Sequence, residues 1–113
     1  MALKQAQQTV LLAHGDIFVR HAVAEYLRSC GKRVIEAAST DEAVAVLARL
    51  KVDALLADEA TPGTRSVSDL VSLASSREPK PSIIEITACT ESVASTAAEL
   101  CGDSGAALRA SYQ

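Results

Sequence analysis

The sequence has few aromatic residues, few cysteines and no excess of positive charge. Only 3% of its 113 residues are aromatic, and eleven Lys and Arg residues stand against fourteen Asp and Glu residues, which gives a net charge of −3. A protein that follows a phosphate backbone needs a basic face, and one that stacks on bases needs aromatic side chains. This composition therefore argues against direct binding to nucleic acid.

Long apolar runs are also missing. The N-terminal segment MALKQAQQ has no apolar core of the kind found in a signal peptide. No stretch approaches the roughly 18 apolar residues that a membrane helix needs. We therefore expect no membrane segment and a cytoplasmic location. Because 49% of the residues are hydrophobic, we expect residues 1–113 to form one domain with its own core.

The three cysteines, Cys30, Cys89 and Cys101, are odd in number and show no CxxC or Cys/His spacing. This pattern argues against a disulfide framework and against a structural zinc site, so inert and mostly buried thiols are expected. Cys89 follows a predicted strand close to the proposed site. It is therefore the one candidate for a redox-sensing thiol.

Short apolar runs alternate with helical patterns along the chain. The runs at 9–13, 33–37, 53–58 and 82–87 are too short for helices and predict strands, with 33–37 at an edge. Apolar residues between these runs recur at three- and four-residue spacing, and Ser39 with Glu42 forms a capping box before the second helix. The last residues are ambiguous between a strand and a frayed end. The order predicts an α/β fold, a parallel sheet with helices on both faces.

Polar residues follow several of the predicted strands. In an open parallel sheet the functional crevice lies beyond the carboxyl ends of the strands, where the strand order reverses. The candidate site residues at these ends are His14, Gly15, Asp16, Asp58, Glu59 and Thr87. Because these ends meet at one edge of the sheet, we expect the side chains to lie near one another.

These segments resemble the receiver domain of response regulators in two-component signalling. VDALLADEATPG (52–63) is similar to the segment in which a strand delivers the phosphoacceptor, with Asp58 in that position. SIIEITA (82–88) is similar to the strand that ends in the switch hydroxyl, here Thr87, and VLLAHGDIFVRHAVAEYLRSCG (10–31) aligns without gaps to the first strand and helix. The resemblance implies a doubly wound, flavodoxin-like sheet with strand order 2-1-3-4-5.

The resemblance also implies a Mg²⁺ ion held by two acidic residues, but this chain has His14 and Gly15 in their place. Magnesium prefers oxygen ligands, so its site is compromised, with Asp58 and, more weakly, Asp16 as the remaining ligands. His14 has three interpretations. It pairs as an imidazolium with Asp58 and replaces the metal, or it is an ordinary loop histidine, or it is itself a phosphoacceptor.

A second departure lies at the end of the chain. The resemblance implies a phosphate-pairing lysine near the end of a fifth strand, for which Arg109 is the nearest candidate, and a fifth helix that is missing here. Loss of that helix would leave apolar strand surface uncovered, and Glu85, polar within a predicted apolar strand, would fit a contacted face. We therefore predict that this face binds another subunit or domain, with a homodimer as one form of that contact.

The sequence thus predicts a signalling module with no enzymatic activity of its own. Two cases are possible for such a module. In one, Asp58 accepts a phosphoryl group from a sensor histidine kinase; in the other, the chain is a pseudo-receiver that works without phosphorylation. As an alternative, AHG after the first strand is similar to the acceptor stretch of mannose-type sugar-phosphotransferase A subunits, which predicts a phosphocarrier that uses His14. A third interpretation is a fragment of a longer regulator.

Overall fold

A computed structural model describes residues 7–86 and 90–102 of the chain. Strands and helices alternate in the order β1 (Thr9–Ala13), α1 (Ile17–Ser29), β2 (Arg33–Ala37), α2 (Thr40–Arg49), β3 (Ala54–Asp58), α3 (Val67–Ser75), β4 (Ser82–Ile86) and α4 (Thr90–Cys101). The strands form one parallel sheet in the order β2-β1-β3-β4. The predicted α/β class is confirmed, and so is the predicted order of the first four strands. The interpretation of residues 103–113 falls outside the described part.

The two central strands, β1 and β3, are buried along their whole length. The edge strand β2, in contrast, has only two buried residues, Val34 and Ala37. A strand with helices on both faces needs apolar side chains on both faces, which explains the continuous runs TVLLA and ALLAD. The sheet therefore places the carboxyl ends of β1 and β3 side by side in the middle of the molecule.

Three helices begin at side chains that cap their free backbone N–H groups. The side chains of Asp16, Ser39 and Ser66 accept hydrogen bonds from amides in the first turns of α1, α2 and α3. The predicted capping box is confirmed for Ser39, which accepts from the Glu42 amide, while the Glu42 carboxylate accepts from Ala38 N–H. These caps determine the residue at which each helix begins, after the loop that follows a strand.

The helices cover both faces of the sheet. One core cluster joins α1 and α4 to the sheet, and the other joins α2 and α3 to the opposite face. Ala94 and Ala97 of α4 are fully buried in the cluster that contains Val23 and Leu27 of α1. The face that was predicted to be uncovered is therefore covered by α4 within the described residues. The last described helix packs beside α1, and the prediction that another subunit or domain contacts this face stays a prediction.

A disulfide joins Cys30 at the end of α1 to Cys101 at the end of α4. The two Cα atoms lie 5.7 Å apart, although 71 positions separate the residues in the sequence. The prediction of unpaired thiols is therefore wrong for these two cysteines, because the packing of α4 on α1 brings their side chains together. Cys89 lies outside the described residues.

The helices are short in comparison with the thickness of a bilayer. In the described ranges, no helix is long and apolar enough to cross a membrane. The longest is α1, with 13 residues.

Candidate functional site

The candidate site lies where β1 and β3 end beside each other. Ala13 and Ala57 pair in the parallel register, so the next residues, His14 and Asp58, lie opposite one another. The Nε2 atom of His14 is 4.0 Å from the Oδ1 atom of Asp58. Both residues are buried, with 7% and 2% of their surface exposed. The structure therefore brings together the two residues that the sequence placed at adjacent strand ends.

The ring of His14 is held by its other nitrogen. Nδ1 accepts a hydrogen bond of 3.0 Å from the backbone N–H of Asp16. An imidazolium carries hydrogen on both nitrogens and could not accept this bond, so the geometry favours the neutral ring with its proton on Nε2. His14 thus directs an N–H toward Asp58. The predicted imidazolium is not the form that this geometry favours.

The carboxylate of Asp58 is only partly satisfied. Its Oδ2 atom accepts from the backbone N–H of Ala60, whereas Oδ1 is buried and has no hydrogen-bond partner among the described residues. The backbone around it is held firmly, because the Thr61 hydroxyl donates to the carbonyl of Asp58 at 2.6 Å. A buried carboxylate oxygen without a partner is costly, which makes the group facing it important for stability.

Asp16 and Glu59 do not complete an acidic pocket. The Asp16 carboxylate accepts from the amides of Phe18 and Val19, so it is used as the N-cap of α1. Glu59 is exposed and makes no described contact with Asp58. Neither residue adds a carboxylate beside Asp58.

Gly15 is closed in by the loop after β3. A Cβ atom on Gly15 would lie only 2.8 Å from Cδ of Pro62, closer than such carbon atoms approach in folded proteins. An acidic side chain at this position would therefore require the 58–63 loop to move. The sequence has no carboxylate at position 15, and the close approach of Pro62 leaves no room for one.

The residues present do not fit a magnesium ion of the kind that the resemblance implies. Asp58 Oδ1 is a free carboxylate oxygen, but its neighbours are the Nε2–H of His14 and a glycine crowded by Pro62. Magnesium needs several oxygen ligands in near-octahedral geometry. No group of three or more His, Cys, Asp or Glu side chains that could hold a metal occurs in the described part of the chain.

Arg20 is a supporting residue that sequence reasoning missed. Its Nη1 donates to the carbonyl of His14 at 2.9 Å, and its Nε donates to Glu36 at 3.1 Å. Glu36 also accepts from Arg28. This network braces the backbone of His14 from the β2 side. Arg20 lies on α1 and its partner Glu36 lies on β2. This pair of opposite charges could not be recognised in the sequence before the packing of the two elements was known.

The loop that follows Asp58 is hydrogen-bonded to the start of α2. The Thr40 hydroxyl donates to the Arg65 carbonyl, and the Thr40 N–H donates to the Pro62 carbonyl. Asp41 accepts from both the backbone N–H and the hydroxyl of Thr64. These hydrogen bonds, chiefly the one from the Thr64 hydroxyl, hold the pKa of Asp41 below its ordinary value. The loop is thus fixed in the position that crowds Gly15.

We expect this fastening to weaken in acid. Because the pKa of Asp41 is lowered in the folded state, its contribution is present above the ordinary pKa of about 3.9 and is lost as the pH falls through the lower folded value. The expected result is faster hydrogen exchange of the Thr64 amide below about pH 4, after correction for the intrinsic rate. NMR-detected exchange measures it.

The matched control for this pH dependence is Asp69→Asn. Asp69 lies in the first turn of α3, and its carboxylate makes no described hydrogen bond. Asp41→Asn should abolish the acid-induced loss of Thr64 protection, and Asp69→Asn should preserve it. Identical acid behaviour in the wild type and in Asp41→Asn would contradict the assignment.

Two predicted site residues cannot be placed. Thr87, the predicted switch hydroxyl, and Arg109, the predicted phosphate-pairing cation, both lie outside the described residues. Their roles stay predictions. Among the described residues, the candidate site therefore consists of His14 and Asp58, with Arg20 bonded to the His14 backbone and Pro62 close to Gly15.

Comparisons with known proteins identify the fold. No family model and no curated protein matches the sequence. Among solved structures, the chain is similar to the chemotaxis response regulator CheY4 of Vibrio cholerae, with 22% identity and a TM-score of 0.67, over 87% of this chain and 82% of that one. It is also similar to a response regulator from Thermotoga maritima, with 25% identity and a TM-score of 0.63, over 74% and 69% of the two chains.

A third similar structure is that of a complex. It is the response regulator TrrA from Thermotoga maritima in complex with Mg²⁺ and beryllium fluoride, which shares 18% identity and has a TM-score of 0.66, over 83% of this chain and 81% of that one. The resemblance seen in the sequence is thus confirmed by the architecture. The chain has the fold of a divergent response-regulator receiver domain.

Proposed function

We propose that the chain is a receiver-like signalling module that works without phosphorylation of Asp58. The observation that carries the proposal is the buried contact between His14 and Asp58. His14 lies at one of the two positions for which the receiver resemblance implies an acidic residue. Attack on a phosphoryl group needs a cation that neutralises the developing charge. A neutral imidazole and a crowded glycine do not provide one.

On this proposal, His14 holds the site in one state. Its N–H faces the carboxylate oxygen that would otherwise attack a phosphoryl group, and Asp58 is almost completely removed from solvent. The module has no substrate of its own and acts through its surface on another signalling protein. A sensor histidine kinase would be its partner only if Asp58 could be phosphorylated.

The test is the intact mass of the protein after incubation with a small acyl-phosphate donor and Mg²⁺. We expect no phosphate adduct on the wild type under conditions that label a receiver domain with an intact acidic pair. His14→Asp restores one oxygen ligand beside Asp58 and is expected to gain a Mg²⁺-dependent adduct. That adduct should be absent from the double variant His14→Asp/Asp58→Asn.

Two outcomes would overturn the proposal in different directions. A wild-type adduct that is absent from Asp58→Asn would mean a working receiver despite the missing acids. A wild-type adduct that is absent from His14→Ala and retained in Asp58→Asn would favour the phosphocarrier alternative. These adducts differ chemically, since an acyl phosphate reacts with hydroxylamine, whereas a phosphohistidine survives base and is lost in acid.

A further inference from the structure

The amino-terminal end of the sheet, opposite the candidate site, carries a cavity of about 260 Å³. It lies between the end of α2 and the loop from α3 to β4. Its apolar lining includes Leu47, Leu50, Val52, Pro79 and Pro81. Leu50 is 41% exposed, although it is a large apolar residue. The cavity therefore offers apolar surface to a ligand, which distinguishes it from an ordinary charged surface depression.

A second cavity of about 330 Å³ lies on the other side of the same segment, against the first residues of β1 and β2. Leu50 and Lys51 line both cavities. We name the two together the basal groove. Because they share these two residues, a single extended segment could contact both.

Four cations line the basal groove: Arg33, Arg49, Lys51 and Arg77. Within the described residues, none of them forms an ion pair or a side-chain hydrogen bond. The acidic lining residues are Asp53 and Glu78, and the Asp53 carboxylate already accepts from the Thr9 amide. The groove therefore carries positive charge that the fold itself does not use.

The dipole of α2 explains the position of only one of the cations discussed next, Arg49. Arg49 lies in the last turn of α2, where a cation stabilises the helix dipole. Lys51 follows that helix, and Arg33 begins an edge strand, so neither is required there by a helix end. Unpaired cations around an apolar surface are typical of a site for a ligand that is both acidic and apolar.

We propose that the basal groove binds an acidic peptide segment of a partner protein, with an apolar side chain on Leu50 and the prolines and carboxylates on the surrounding cations. A nucleic acid fits the surface less well, because none of the described residues that line the groove is aromatic and could stack on a base, and the whole chain has a net charge of −3. The inference goes beyond the proposed function, since the groove lies at the opposite ends of the strands from His14 and Asp58.

The binding test uses two fluorescein-labelled hexapeptides of equal charge, Glu-Leu-Glu-Glu-Leu-Glu and Glu-Ser-Glu-Glu-Ser-Glu, and measures fluorescence anisotropy at low salt. We expect the leucine peptide to bind at least about fivefold more tightly, because each leucine removes apolar surface from water on binding and serine does not. Lys51→Glu and Arg77→Glu are each expected to weaken its binding by roughly tenfold, because like charges brought together in an interface are unfavourable.

Arg65→Glu is the matched control, because it makes the same charge change in the exposed loop at the other end of the molecule. We expect it to bind the leucine peptide as the wild type does, and circular dichroism confirms that each variant is folded. No binding by the wild type, or an equal loss in Arg65→Glu, would overturn the proposal. So would a single-stranded oligothymidylate that competes as well as the leucine peptide does, which would indicate a general polyanion surface.

Discussion

Reduction of the disulfide between Cys30 and Cys101 is expected to lower the free energy of unfolding by about 4 kcal/mol. The bridge connects residues 71 positions apart, so it removes many conformations from the unfolded chain. It also fastens the end of α4 to the end of α1, in the layer where Ala94 and Ala97 are buried. Urea unfolding with and without a phosphine reductant measures the difference.

Two variants separate the effect of the disulfide from other effects of the reductant. Cys30→Ser should show the lower stability at once and should no longer respond to reductant. Cys89→Ser keeps the bridge and should respond as the wild type does. Equal stability of the oxidised and reduced proteins would contradict the account, as would three reactive thiols in the untreated protein.

Much of the fold could be predicted because the local patterns and the final environment agree. The runs at 9–13 and 33–37 are strands with the predicted bounds, since a buried central strand and a half-buried edge strand have different patterns of apolar residues. The start of α2 was also predicted correctly, because Ser39 is a typical capping residue. These features depend on residues close in sequence, so they can be recognised without the tertiary structure.

The central pair of the site could also be predicted, because parallel strands bring their carboxyl ends to one edge. His14 and Asp58 needed only the correct strand bounds and the order of β1 and β3. The role of Asp16 was predictable as well, since an aspartate directly before a helix is a preferred N-cap.

The features that were missed depend on contacts between distant segments. Cys30 and Cys101 meet only because α4 lies beside α1, and neither spacing nor composition predicts that face. The bonds between Asp41 and Thr64 join residues 23 positions apart, one in the first turn of α2 and the other in the loop after β3. The contact between Pro62 and Gly15 similarly needs the relative positions of two strand ends.

Removal of the His14 side chain is expected to lower the free energy of unfolding by about 3 kcal/mol, the upper part of the range for leaving a buried polar group without a neighbour that solvates it. His14→Ala would leave the Asp58 carboxylate facing a cavity, and Oδ1 already has no hydrogen-bond partner among the described residues. It would also remove the acceptor of the Asp16 amide. Urea unfolding of the purified variant measures this loss.

Asp58→Asn is the matched change on the other side of the pair. It keeps the shape of the side chain and removes the buried negative charge, so its own effect is expected to be small, within about 1 kcal/mol. When the charge is absent, the loss of His14 should matter less. The part of the His14→Ala loss that comes from the amide of Asp16 and from the cavity should remain in the double variant.

The measurement that tests the central claim most directly is the coupling free energy between His14 and Asp58, obtained from the urea unfolding of the wild type, His14→Ala, Asp58→Asn and the double variant. If the imidazole N–H stabilises the buried carboxylate, the double variant should be about 2 kcal/mol more stable than the sum of the single effects predicts. Additive losses, with no coupling beyond experimental error, would contradict the claim that His14 holds Asp58 in one state.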